Sequence, residues 1–233
     1  MDATRVLAAP ALGRRADEYS FNRFSSEFAE IAPLFRISTL DTLIEAYDEP
    51  GRHYHTRWHI TALLALFAKL RDLADDPAAV KAAIFFHDAI YHIPLDPQYP
   101  PPHDNEERSI KLMNMMARDD HHPSLIKAVR LVRATTNHHA SKDIDVRLIH
   151  DLDLSILATS RRRYARFEQE IRAEYAVYPH PLWATARLAR LRSFMERRRI
   201  YALPPLSLAW EDRARANLAW AISELAKGRT PGS

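Results

Sequence analysis

Ala82-Ala83-Ile84-Phe85-Phe86-His87-Asp88-Ala89-Ile90-Tyr91 is the stretch on which the reading of this chain turns. A run of side chains without a polar atom leads straight into a His-Asp pair. Upstream, Asp76 is a capping acid and Pro77 suits a first helical position, so the pattern predicts a helix over about 77–91. A helix apolar on every face near its end belongs at the centre of a fold. Asp88 is then expected in an apolar setting, where a bare carboxylate is very costly. Either a cation or a buried His-Asp hydrogen bond would satisfy the pair.

Working outward, helical periodicity continues on both sides. Residues 15–31 and 37–48 read as helices, the second stopped by Glu49-Pro50-Gly51. From Thr56, the run Trp58, Ile60, Leu63, Leu64, Phe67 and Leu70 repeats at helical spacing until Asp76-Pro77. Further helices are expected at about 104–118, 123–137, 143–158, 160–177, 181–200 and 204–227, with 92–103 a proline-rich loop. Only 4 Gly in 233 residues argues against a β-rich fold with many tight turns, while the 15 Pro fall mostly between periodic segments. The chain reads as all-α, a single-domain helical bundle over 15–228, with a flexible lead-in at 1–14 and a flexible tail at 229–233.

Composition narrows the chemistry. With no cysteine there is no disulfide, thiolate metal site or cysteine nucleophile, so any metal must be held by His and carboxylate. No apolar run reaches a membrane span and the N-terminus lacks a signal-peptide core, so a cytoplasmic protein without membrane partners is expected. The net charge is +3, with arginines crowded late: Arg161 to Arg163, Arg166, Arg172, Arg187, Arg190, Arg192 and Arg197 to Arg199. Such a set either attracts anions such as nucleotides or forms solvated helix faces, the commoner case. No dedicated nucleic-acid module is visible.

Four other stretches bear on the His-Asp pair. His55 and His59 lie four apart at the start of the helix from Thr56, where His59 suits a metal ligand and His55 a neighbour that touches substrate. Asp151 and Asp153 sit in an apolar run. They point about 200° apart on a helix, so one is expected to coordinate while the other caps or pairs; Asp153, with the more apolar surroundings, is the choice. Asn105-Glu106-Glu107 is either an acidic helix start or a source of a proton-carrying carboxylate, with Asn105 steering. His138 is a candidate ligand of a second ion or a contact to the leaving group of the substrate. Arg52, Arg57, Arg108, Lys142 and Arg172 are candidate phosphate clamps.

The order His59, then Phe86-His87-Asp88, then Asp153 resembles the H…HD…D signature of the HD superfamily of metal-dependent phosphohydrolases. It resembles most closely a subgroup of predicted phosphohydrolases of about this size. The shared features are Tyr47-Asp48-Glu49-Pro50 with Arg52-His53-Tyr54-His55, Phe85 to Tyr91, Asn105 to Ser109, Ala134 to His138, Asp151 to Leu157 and Ile171 to Tyr175. The likeness runs from about 47 to 178; Ala158-Thr159 depart from it where relatives often carry glycine.

The resemblance implies an HD-type helical bundle in which His59, His87, Asp88 and Asp153 hold a divalent cation of the Mn, Co, Ni, Fe, Zn or Mg group. It implies hydrolysis of a phosphomonoester, a nucleotide or a related small phosphorylated substrate; on chemical grounds Glu106 or Glu107 is the candidate to handle the proton. By their chemistry and position, Arg52, His55, His138 and Arg172 are the candidate contacts to substrate. Two alternatives stand beside it. The extra histidines suit a di-iron HD-type oxygenase, and a helical nucleotide-binding protein without catalysis would use the same site differently.

Overall fold

Ten α-helices occur among the described residues: α1 (Ala16–Ala29), α2 (Thr39–Tyr47), α3 (Arg57–Leu70), α4 (Pro77–Phe86), α5 (Asn105–Met116), α6 (Pro123–Ala134), α7 (Ile144–Asp153), α8 (Arg161–Glu174), α9 (His180–Met195) and α10 (Pro204–Ala226). The computed structural model describes residues 16–94 and 104–232, with side chains from Asn22 onward. The expected lead-in at 1–14, most of the expected loop at 92–103 and Ser233 lie outside those residues. No strand occurs among the described residues, and the all-α reading stands. No described helix is long and apolar enough to cross a membrane.

α4 is the central rod. Asp76 accepts from the Ala79 N–H at 2.9 Å, Pro77 takes the first turn, and every residue from Ala79 to Phe86 is buried. Phe85 meets Phe24 and Phe28 edge-on at 5.0 and 5.3 Å, and Phe86 meets Phe35 at 5.1 Å. Complete burial of each ring stabilises the fold by roughly 1.5–3 kcal/mol. Lys81 is buried on the same helix because its ammonium reaches Glu27 at 2.7 Å and Glu30 at 2.8 Å. α4 packs against α6 and also meets α3 and α7.

The expected helix over 77–91 ends earlier, at Phe86, and His87-Asp88 stand in the turn that follows. The reason comes from far away in sequence. The Arg52 guanidinium donates to the Asp88 carbonyl at 2.7 Å and the Ala89 carbonyl at 2.8 Å, and the Tyr47 hydroxyl donates to the Phe85 carbonyl at 2.9 Å. Side chains thus take over the carbonyls that another helical turn would have used. The segment after Gly228, read from sequence as a loose tail, is tied back: Arg229 forks onto Glu224 at 2.8 Å through both Nε and an Nη.

Candidate metal centre

Three separate elements deliver the central side chains. His59 lies in the first turn of α3, whose start Thr56 caps by accepting from the Trp58 N–H at 3.3 Å. His87 and Asp88 form the turn beyond α4, and Asp153 is the last residue of α7. Tight packing of α4 between its neighbours brings these chain-distant points to one place.

One ligand atom each of His59, His87 and Asp153 lies within 4.8 Å of the other two, so the group could hold a metal ion. The Nε2 atoms of His59 and His87 are 3.4 Å apart, and each is 3.7 Å from Asp153 Oδ1. Asp88 Oδ2 joins them, 3.0 Å from His87 Nε2 and 3.6 Å from His59 Nε2. Ligands on one cation with bonds of about 2.0–2.2 Å stand about 3.0–3.5 Å apart along tetrahedral or octahedral edges. The observed separations suit that arrangement better than a hydrogen-bonded cluster, where most of these contacts would be too long.

Two further features favour positive charge here. His87 Nδ1 is 3.0 Å from the Ile84 carbonyl; a proton there donates to that oxygen and leaves Nε2 facing the group. Asp88 follows the C-terminal end of α4 and Asp153 closes α7, where the partial charge of the helix is negative and a carboxylate is disfavoured. Burial pushes the His87 imidazole down, yet Asp88 and Asp153 outweigh it and hold this group well above its ordinary range. Burial also raises the two carboxylates, but His87 and its neighbouring histidines keep both well below theirs. His59 is lowered, mainly by burial. The two acids favour positive charge between them, which the His87 imidazolium supplies here and which a divalent ion could supply instead, with release of protons.

Around this group the other histidines take orienting positions. His138 Nε2 lies 2.9 Å from Asp153 Oδ2, leaving Oδ1 to face the other ligands. His55 is clamped by Glu174: Nδ1 to Oε2 is 2.7 Å, and Glu174 Oε1 also accepts the backbone N–H groups of His53, Tyr54 and His55 at 2.7–2.9 Å. Its ring stacks on Tyr91 at 3.9 Å, and Nε2 is left 4.0 Å from Asp88 Oδ2. Burial lowers His55, but Glu174 and Asp88 raise it more, so its pKa lies above the ordinary value.

The remaining sequence candidates are dispersed. Asn105 closes a loop, accepting from the His92 N–H at 3.1 Å and donating to the His92 carbonyl at 3.2 Å. Glu107 is turned to the surface and paired with Arg133 at 2.5 and 3.0 Å. Only Glu106 of that trio feels the cluster: burial raises its pKa, and the charge of Asp88 adds to the effect. Arg52 is committed to carbonyls, and Arg172 likewise donates to those of Tyr175 and Tyr178 at 2.6 and 3.1 Å. Neither is free to clamp a phosphate. Arg57 forks onto Asp48. Asp151 is a staple, its two oxygens accepting the Ala202 and Leu203 N–H groups at 2.7 and 2.8 Å ahead of α10.

Two residues beside the group were not singled out from the sequence, Arg190 having been read only as one of the late arginines. Glu174 was visible only as one acid in Ile171 to Tyr175, with nothing to connect it to His55. Arg190 lies on α9 within the field of Asp153 and Glu106; its guanidinium sits 4.6 Å from the Phe194 ring and makes no ion pair among the described residues. No family model, curated protein or solved structure matches this chain.

Proposed function

We propose that this chain is a metal-dependent phosphohydrolase of HD type, acting on a phosphomonoester, a nucleotide or a related small phosphate. The observation that carries the reading is the meeting of His59, His87 and Asp153, from three elements, around one buried point with Asp88 beside them. His59, His87, Asp88 and Asp153 would hold the cation. When bound, a divalent ion supplies Lewis acidity that lowers the pKa of a water and polarises a phosphoryl oxygen.

The chain's own groups supply the rest. Glu106, with its raised pKa, is suited to take or return a proton beside the cluster. Arg190 offers an uncommitted guanidinium to a phosphate. His55, fixed by Glu174, presents Nε2 towards Asp88 as a second proton carrier. Among the described residues only one group of three or more candidate ligands occurs, with His138 and His55 bound to acids around it.

The test is a phosphatase screen across nucleotides and sugar phosphates with Mn, Co, Ni, Fe, Zn or Mg added in turn. Turnover in the native protein, lost in the His87→Ala/Asp88→Ala variant, supports the reading. Turnover that survives complete chelation contradicts it, as does metal-bound protein inactive on every phosphate. Saturable nucleotide binding without product, lost in the His87→Ala/Asp88→Ala variant, would favour a binding protein instead.

A further inference from the structure

Beyond His138 a cavity of about 620 Å³ opens between the loop after α6, the body of α7 and the segment joining α9 to α10. His59, His87 and Asp153 do not line it. Its wall carries Arg147, Arg197, Arg198 and Arg199. The one carboxylate in that wall, Asp151, is spent on two backbone N–H groups. Arg147, Arg198 and Arg199 make no side-chain ion pair or hydrogen bond among the described residues, and Arg147 Nε is both buried and unpartnered. Arg197 is anchored, donating to the Asn137 carbonyl at 3.1 Å and lying 4.7 Å from the Phe194 ring.

Four like charges around a concavity repel one another, and the single carboxylate of the wall, Asp151, whose ionised form Arg147 favours, offsets them only in part. His138 adds a second, independent mark. It adopts a left-handed backbone with φ of 52°, its side chain is buried, and its Nδ1 has no hydrogen-bond partner. A non-glycine residue in that region is held there by its surroundings and is a pointer to function. The wall also carries apolar side chains, Leu154, Ile200 and Ala202. Guanidinium groups grip phosphate oxygens two at a time, and several of them suit a chain of phosphates. The volume exceeds what one phosphate needs and matches a nucleotide-sized ligand, for which pockets of roughly 300–1,000 Å³ are usual.

We propose that this cavity binds a small molecule carrying a di- or triphosphate, of the nucleotide class, with the phosphates on Arg147, Arg198 and Arg199 and the organic half against Leu154 and Ile200. The site is separate from the metal centre and does not depend on hydrolysis there. His138 joins the two, since its other nitrogen holds Asp153.

The experiment is isothermal titration of the full chain with inorganic pyrophosphate and with ATP, both in EDTA. Native protein is expected to bind both, ATP more tightly because it also covers the apolar wall. Arg198→Gln/Arg199→Gln replaces two exposed side chains, and the Kd should rise at least about tenfold, as expected for lost charge-assisted hydrogen bonds. Arg147→Gln, checked for folding by circular dichroism, should act in the same direction. His87→Ala should leave both affinities unchanged, which separates this site from the metal centre. The proposal fails if neither probe binds, or if both arginine variants bind as the native protein does. It also fails if His87→Ala abolishes binding, or if only an oligonucleotide binds.

Discussion

Replacing Glu174 by glutamine removes one negative charge and keeps the shape of the side chain. Its carboxylate is buried, accepts three backbone N–H groups and faces the His55 ring at 2.7 Å. Burial alone would raise its pKa, but His55 and the backbone donors outweigh that and pull it from 4.5 to about 2. A carboxylate lowered on folding adds stability that is fully present above the unfolded value and is lost as pH falls towards the folded one. About 2.5 units correspond to about 3 kcal/mol at pH 7. By the same linkage the contribution shrinks to about 1.4 kcal/mol at pH 3 and below about 0.5 at pH 2. Urea unfolding of native protein and Glu174→Gln at a series of pH values should therefore show a gap that closes towards acid. A gap that stays constant across pH, or one below about 0.5 kcal/mol at pH 7, would refute the assignment.

The other expectations concern neighbours of the same centre. Arg52→Ala should cost about 3 kcal/mol in urea unfolding, since three carbonyls of the His55 and His87-Asp88 segments lose a charged donor, and Arg52→Lys should not restore it. Glu106→Gln should lower kcat by roughly 10²–10⁴, while Glu107→Ala should leave it intact and change stability by under about 1 kcal/mol; equal effects from both would remove Glu106 from the chemistry. Asp151→Ala strips two N–H groups of their acceptor and should destabilise the docking of α10 by about 2–4 kcal/mol, read as earlier hydrogen exchange in that helix. Unchanged exchange there would show that α10 does not need the staple.

The sequence made the helices legible because their signals are local. Asp76-Pro77, Thr56 and the scarcity of glycine act within a few residues, and the apolar run ending in Phe86 could belong only at the centre. Helical direction separated Asp153 from Asp151, and the two carboxylates do take separate partners, but burial was a poor guide: Asp151 is the fully buried one and the Asp153 side chain is 22 % exposed. What could not be read were decisions made across long sequence separations. The helix stops at Phe86 because of Arg52, Asn105 turns to His92, and Glu107 goes to Arg133. Each of these polar groups had several chemically equal futures, and tertiary packing selected one. The late arginines show the same division: Arg163 and Arg166 on α8 bind Glu170 of their own helix, Arg161 and Arg172 go to backbone carbonyls, and Arg197 to Arg199 gather around a cavity that no spacing rule reveals.

Cation binding to the native chain tests the central claim most directly. Protein stripped with chelator and titrated with Mn or Zn should take up one ion per chain, and His59→Ala, His87→Ala and Asp153→Ala should each weaken that uptake by at least about a hundredfold. Uptake of the same stoichiometry and affinity in all three variants, or none in the native chain, would contradict the account.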